Sequence, residues 1–339
     1  MNRDPHRPPV LSDVAQVAGV SLPTVSRVIS GSTPVSEEKR AAVLRAIAQL
    51  GYRPNAAART LVSGKRSLIA VLTGRVSEPS SAGTIQGIIN VARDAGYEVI
   101  ISVVETDKKT DVSRAIDSVL AQPVAGVVVL EYDTPGEAAL VALPQNLPRV
   151  VAGPTPTAPR EVAVASLDAR SGARQAVEYL LGLGHQTVHH LARFSAGHPH
   201  TRTEGWREAL LAHGITPPPI YECQVSAASA YHQMGRLLEC SDVTALLCAS
   251  DTLAMGAMRR IHEAGLRIPD DISVIGFEAV ELSEFWIPAL TTVRVDFEEI
   301  GRRAARLLLA QLEHGKGPMT STGTPELIIR ASTAPPRIG

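Results

Sequence analysis

The chain reads as an α/β core of parallel sheets preceded by a small all-α, helix-turn-helix headpiece. Three observations carry this. The run LSDVAQVAGVSLPTVSRVIS, Leu11 to Ser30, has the layout of two short helices around a glycine turn. From Ser67 onward, apolar runs of strand length alternate with amphipathic segments of helix length, the pattern of βαβ units. The 339 residues exceed one domain, and charge is divided unevenly between the two parts. Residues 1–66 hold ten Lys/Arg against four Asp/Glu, a balance of +6, whereas residues 67–339 hold 23 against 30, a balance of −7. A basic end on an acidic body suits a nucleic-acid contact at one end.

In the headpiece, Val14, Val17 and Ala18 recur at helical spacing and predict one inward face. Gly19 supplies the turn, because only glycine takes φ > 0 without steric cost. Ser21 stands at the N-cap of the second helix and Pro23 in its first turn. Val25, Val28 and Ile29 give that helix its apolar face. Leu22, Pro23, Thr24, Ser26 and Arg27 are left outward, where a major groove would lie. A third helix follows, capped by Ser36, with Val43, Leu44, Ile47, Ala48 and Leu50 on its inner face, and ends at Gly51. Tyr52 to Asn55 form an extended link. The segment AAARTLVSG then has the composition of a short helix too small-sided to hold itself together in water.

The body runs strand SLIAVLT, helix TIQGIINVARDAGY, strand EVIISVVE, helix DVSRAIDSVLAQ, and strands GVVVLE and PRVVAG. It continues with helix ARSGARQAVEYLLGLGH, strand TVHHLA, helix RTEGWREALLAHG and strand ALLCAS. Helix TLAMGAMRRIHEAGL, strand ISVIGF and the long helix FEEIGRRAARLLLAQLE complete it. Trp206 is expected in the core.

Enzyme classes that share this alternation find little support. No G-x-G-x-x-G follows a strand, and Gly182-Leu183-Gly184 closes a helix, the wrong side for phosphate. Ser63-Gly64-Lys65 lacks the upstream glycine of a phosphate loop. No G-x-S-x-G, H-E-x-x-H or paired-carboxylate signature is present. His189 and His190 are adjacent in a strand and face opposite sides, and with His198 and His200 they make a poor metal set, so neither metal nor cofactor is expected. Cys223, Cys240 and Cys248 are odd in number with no C-x-x-C, which suggests a reducing compartment. The N-terminus has no signal-peptide core, and no apolar run reaches membrane-spanning length. A cytoplasmic, nucleoid-associated location is the expectation.

The motifs DVAQVAGVSLPTVSRVI and GYRPNAAARTL, with SLDARSGARQAVEYLLGLGH, HTRTEGWREAL, CASDTLAMGAMRRIHEAGLRIPDDISVIGF and IPALTTVRVDFEEIGRRAARLLL further on, closely resemble the lactose/galactose repressor family of bacterial transcription regulators. The resemblance covers residues 10–333. It implies a periplasmic-binding-protein-like core of two Rossmann-like parallel-sheet subdomains and a headpiece at residues 10–53 between a disordered 1–9 and a hinge at 54–66. Subdomain one would span 67–165 plus 295–324, subdomain two 166–294 plus 325–333, and residues 334–339 would form a tail. It also implies a homodimer on a pseudo-palindromic DNA operator, controlled by a small-molecule effector, first a carbohydrate. No C-terminal heptads follow, so a dimer rather than a tail-built tetramer is expected.

By the same resemblance, Ser21, Leu22, Pro23, Thr24, Ser26 and Arg27 would meet the major groove, Arg27 reading guanine. Asn55, Ala58, Arg59 and Leu61 would fold into a hinge helix on DNA, with Leu61 wedged into the minor groove. Asp168, Arg202, Ser250, Asp251, Glu278, Trp286 and Phe297 would line the effector cleft. Arg202 would bind hydroxyls or a carboxylate, Trp286 would stack on a sugar, and Phe297 would form an apolar wall. Asp251 has an alternative role as the cap of the helix that begins there. The pattern is broken at Glu278, where the family has Asp, and at Ser250, where it often has Asn. Val225 and Gly153 also depart from sugar-binding members.

Overall fold

The computed structural model describes residues 9–30, 34–52, 67–153, 159, 161–193, 201–239, 243–315 and 320–337. The chain divides into two units, Met1–Ser67 and Leu68–Gly339.

The first unit contains α1 (Leu11–Ala18), α2 (Leu22–Ser30) and α3 (Glu37–Leu50). Gly19 closes α1 at φ 64° and Gly51 closes α3 at φ 60°, each in the left-handed conformation that glycine adopts freely. Val14, Ala15, Val25, Val43, Ala46 and Tyr52 form the buried centre. This corrects the sequence-based faces in three places. Val17 is 41% exposed while Ala15 is buried, and Leu44 and Ala48 are exposed while Ala46 is buried. Tyr52, expected in an extended link, completes the core. With so few residues, one aromatic ring fills space that several aliphatic side chains would otherwise share. Ser36 precedes α3 without a side-chain cap. The hinge residues Asn55, Ala58, Arg59 and Leu61 lie outside the described residues.

The second unit is built on two six-stranded sheets. The first has the order β11-β5-β4-β3-β1-β2, from β1 (Leu68–Thr73), β2 (Glu98–Val103), β3 (Val124–Leu130), β4 (Arg149–Ala152), β5 (Ala163–Leu167) and β11 (Thr320–Gly323). The second has the order β12-β10-β9-β8-β6-β7, from β6 (His189–Arg193), β7 (Ile220–Cys223), β8 (Ala245–Cys248), β9 (Ser273–Glu278), β10 (Thr291–Arg294) and β12 (Glu326–Ile328). All pairings are parallel except β10 with β12. The chain therefore crosses between lobes after β5, after β10 and after β11. The expected division at 165/166 falls inside β5, which stays in the first sheet to Leu167. The tail expected from residue 334 also starts later. The Ala334 carbonyl accepts from Ser273 Oγ at 2.9 Å, and the Ala334 N–H donates back to that oxygen at 3.0 Å.

The helices are α4 (Pro79–Asp94), α5 (Lys109–Leu120), α6 (Thr134–Ala142), α7 (Ala169–Gly182), α8 (Thr201–Ala212), α9 (Ala227–Leu237), α10 (Asp251–Glu263) and α11 (Phe297–His314). Three pairs approach until a glycine on one helix meets backbone on the other. A Cβ at Gly87 of α4 would overlap the Glu298 carbonyl oxygen, and one at Gly301 of α11 the Thr84 carbonyl oxygen. Gly205 of α8 stands likewise against Arg170 of α7, and Gly256 of α10 against Ala227 of α9.

Parallel strands covered on both faces read as continuous apolar runs, and β1, β3, β8 and β9 are buried along nearly all their length. Trp206 is fully buried in the core, as expected, donating Nε1–H to the Val188 carbonyl at 2.7 Å. His190 is held between Leu247 O and Thr203 Oγ1 and stacks on Trp206. Burial pushes its pKa down to about 4, so it is a neutral core histidine. His198, His200 and Cys240 lie outside the described residues. Among the described residues, no group of three or more His, Cys, Asp or Glu is placed to hold a metal ion. No described helix is long and apolar enough to cross a membrane.

Candidate functional site

Helix α2 presents Leu22, Pro23 and Arg27 to solvent, with Leu22 47% exposed, while Val25 is fully buried beneath. Thr24 and Ser26 are half-buried at the edges of that face. Ser21 holds the N-cap position through its carbonyl, which accepts from Thr24 N at 2.9 Å. Its hydroxyl meets the Thr24 hydroxyl at 2.9 Å rather than a backbone amide. The face therefore offers two apolar residues and one guanidinium.

The second candidate site is the cleft between the two sheets, at the carboxyl ends of their strands, where ligands of open α/β sheets bind. The first lobe contributes Ser80 at the start of α4, Tyr132 after β3, Gly153 after β4 and Leu167 of β5. The second contributes Ala169, Arg193 at the end of β6, Arg202 of α8 and Glu278 at the end of β9. Val295, Phe297 and Ile300 enter where the chain crosses back into α11. The cavity is small in this structure, about 30 Å³.

Its polar groups are held tightly. Arg202 is 7% exposed and lies 4.1 Å over the centre of the Phe277 ring. Its Nη1 donates to the Ala249 carbonyl and, at 3.2 Å, to Glu278 Oε1. Burial raises the Glu278 pKa and lowers that of Arg202, while each charge favours ionisation of the other. Arg193 Nη2 donates to the Tyr132 carbonyl at 2.7 Å and so ties the strand ends of the two lobes together. Thr84 Oγ1 donates to Ser80 O at 2.7 Å, which leaves Tyr132 to donate its hydroxyl to Thr84 at 2.8 Å. The Tyr132 ring meets Phe297 edge-on, with centroids 5.8 Å apart. Phe297 thus lines the cavity beside Tyr132.

Glu278 and Ala279 both sit at positive φ, 109° and 54°. For residues other than glycine this costs on the order of 1–3 kcal/mol each and persists only where neighbours enforce it. The enforcing group is Asp251. Its carboxylate accepts Val280 N at 2.8 Å and Thr292 Oγ1 at 2.6 Å, and Thr292 in turn accepts Ala279 N at 3.3 Å. Asp251 is fully buried behind the turn, not in the cavity, and it positions the Glu278 carboxylate. Nor is it a cap. Ser250 caps α10, accepting Leu253 N at 3.3 Å, and it too is absent from the cavity wall.

Burial raises the Asp251 pKa to about 7, against an ordinary 3.8. A carboxyl whose folded pKa lies above its unfolded value contributes stability present at low pH and lost as pH rises. The stability of the wild type relative to Asp251→Asn should therefore decline as pH rises from about 4 to about 7, measured by urea unfolding at each pH. A difference independent of pH would contradict this.

Two further expectations are corrected. Asp168 is exposed and caps α7, accepting Ser171 N at 3.0 Å, outside the cavity. Trp286 borders a different groove, with Met255, Met258, Leu266, Ile268 and Pro288. The loop after β9 carries it against α10. Of the seven residues expected in the cleft, Arg202, Glu278 and Phe297 are brought together there. Tyr132, Arg193 and Ser80 were missed. Tyr132 and Arg193 each end an apolar strand run, the same signal that singled out Glu278.

A helix-turn-helix unit on one chain with a two-lobed α/β body and a lined cleft defines a ligand-responsive DNA-binding regulator. The family model of bacterial regulatory proteins, lacI family, matches residues 10–55, and that of the periplasmic binding protein-like domain matches residues 177–333. The chain is 34% identical to the lactose operon repressor of Escherichia coli (strain K12) over 330 residues, 96% of this chain and 91% of that protein. It is 33% identical to the HTH-type transcriptional regulator CelR of Thermobifida fusca over 322 residues, 90% of this chain and 92% of that protein. Among solved structures it resembles the lac repressor dimer bound to operator and the anti-inducer ONPF. There the TM-score is 0.88 at 33% identity, covering 97% of this chain and 100% of that one. It also resembles a CelR–cellobiose complex, TM-score 0.71 at 29% identity, covering 96% and 99%. The chain belongs to the lacI family of bacterial regulatory proteins.

Proposed function

We propose that this chain is a transcriptional repressor that binds a pseudo-palindromic operator as a homodimer, and that a small molecule in the cleft controls that binding. It acts by binding rather than catalysis, in the cytoplasm on the nucleoid. The observation that carries the DNA reading is the exposed face of α2. Arg27 stands out of a helix whose opposite face is locked into the headpiece core by Val25. A guanidinium there can bond O6 and N7 of one guanine together. Leu22 and Pro23 offer only van der Waals contact, for instance to a thymine methyl. Ser21, Thr24 and Ser26 would contact phosphates. Asn55, Ala58, Arg59 and Leu61 would read the minor groove when folded on DNA. The homodimer is supported by exposed Leu282, Phe285 and Ile287 beside the Trp286 groove, an apolar patch of the kind that marks interfaces.

Control follows from where the cleft residues come from. They belong to both lobes, so a ligand touching both favours one relative position of the lobes over others. The lac repressor structure with operator and anti-inducer, and the CelR structure with cellobiose, support such a site here.

The test is titration of a fluorescent fragment of the gene's own promoter at several salt concentrations. Log K should fall steeply with log salt, because phosphate contacts release counterions. Arg27→Ala should reduce the preference for this fragment over random DNA by about tenfold or more, since one bidentate base contact contributes ~1–3 kcal/mol. A flat salt dependence would overturn the DNA reading, and unchanged preference would overturn the role of Arg27.

A further inference from the structure

The cleft is narrow, and one side chain crosses it. A volume of about 30 Å³ is the share of a single water molecule in the liquid. Small-molecule sites enclose about 300–1,000 Å³. Arg193 ends β6, a strand paired on both sides, and is itself in register with Cys223 of β7. From this fixed backbone its guanidinium reaches the first lobe, where Nη2 donates to the Tyr132 carbonyl at 2.7 Å. The receiving end is fixed as well. The Tyr132 hydroxyl is held by Thr84 and its ring by Phe297. The bond therefore joins two anchored points, one on each lobe.

Charge acts across the same gap. Asp133, next to Tyr132, caps α6 by accepting Gly136 N at 2.9 Å. Burial raises its pKa, and the charges of Arg193 and Arg75 act against that rise, while Glu78 adds to it. Glu278 and Arg202, both shifted chiefly by burial, feel Arg193 in opposite senses: it favours the carboxylate and opposes the guanidinium. These two groups are on the same lobe as Arg193 and already form an ion pair at 3.2 Å. The attraction to Asp133 crosses between the lobes and pulls the same way as the hydrogen bond.

We propose that Arg193 is a strap that holds the lobes closed, so that an effector enters only after the Arg193–Tyr132 bond has opened. This rests on the cleft being the effector site, and it adds how access to that site is regulated. A ring-sized molecule and the closed strap exclude each other in so small a volume. The apparent affinity of an effector is then scaled by the fraction of molecules with the strap open. A hydrogen bond from a charged donor shifts such a two-state equilibrium by a factor of about ten or more.

The test is the modification rate of a thiol placed inside the cleft. Ser80 lines the cavity and is 6% exposed. Ser80→Cys is introduced into the full chain with Cys240→Ser, since Cys223 and Cys248 are fully buried. The probe is N-ethylmaleimide, which is neutral and too large for the closed cavity. Ser80→Cys should react at least tenfold more slowly in the folded protein than in urea. Arg193→Met and Arg193→Gln, each lacking the charged donor, should speed the folded-state reaction tenfold or more. The strap is overturned if Ser80→Cys reacts as fast folded as unfolded, or if either Arg193 variant leaves the rate unchanged. It is also overturned if the acceleration extends to Cys223 and Cys248, which marks unfolding rather than opening of the cleft. The same variants are titrated onto the promoter fragment. Faster labelling with altered DNA affinity supports the strap and control through the cleft together. Faster labelling with unchanged DNA affinity retains the strap and overturns that control. Unchanged labelling with altered DNA affinity overturns the strap and retains it.

Discussion

Arg202→Met should lower the unfolding free energy by about 3–5 kcal/mol at neutral pH, the cost of leaving one member of a buried ion pair without the other. Methionine preserves much of the volume over Phe277, so the loss is chiefly electrostatic. The stranded Glu278 carboxyl, already raised by burial, should rise further. A raised folded-state pKa contributes stability below the unfolded pKa and loses it as pH rises. The defect should therefore be smaller at pH 5 than at pH 8. Arg202→Met with Glu278→Gln should recover much of the loss, because no buried charge is then left unpaired. Urea unfolding followed by the fluorescence of Trp206, one helical turn along α8, reads this directly. If the single and double variants are equally unstable, the ion pair is not what stabilises this part of the lobe.

The second large effect is expected at the α4–α11 crossing. Gly87→Ala and Gly301→Ala should each destabilise the protein by about 2–3 kcal/mol, although alanine is the better helix former by about 1 kcal/mol. In both cases the obstacle is a backbone carbonyl, which cannot rotate away as a side-chain tip can. Gly182→Ala, where a Cβ meets nothing within 4 Å, should be neutral or slightly stabilising. The crossing also bears on the cleft. Thr84 of α4 holds the Tyr132 hydroxyl, and Phe297 is the first residue of α11. Prising the helices apart should weaken effector binding along with stability. Thermal unfolding of the three variants decides the point, and equal melting temperatures for Gly182→Ala and Gly87→Ala would contradict it.

Much of this organisation was legible in the sequence, for definite reasons. The buried strands, such as β1 and β3, are continuous apolar runs, and the α11 segment has the spacing of an amphipathic helix. Elements made of small or mixed residues were not legible. The strand β5, AVASL, is a five-residue run of mostly small side chains. What places it is its neighbours in the sheet, β4 and β11. In the cleft, Arg202, Glu278 and Phe297 were anticipated, but Asp168, Ser250, Asp251 and Trp286 were assigned to the wrong task. The first two are polar residues at helix starts, where a cap and a ligand contact look alike in sequence. Asp251 serves the backbone of a distant turn, a role fixed only by the β9–β10 pairing. Trp286 depends on which way a surface loop leaves its strand, which no local pattern specifies.

The turn at Glu278 has a consequence for how this protein can diversify. The groups that hold the turn, Asp251 and Thr292, lie behind it, while Tyr132, Arg193 and Phe297 face the cavity. Framework and contact surface are thus carried by different residues. A point change at Arg193 or Phe297 can alter which molecule is recognised without releasing the backbone that aims Glu278. In such a scaffold, ligand preference can drift among descendants one substitution at a time, while folding remains under separate selection.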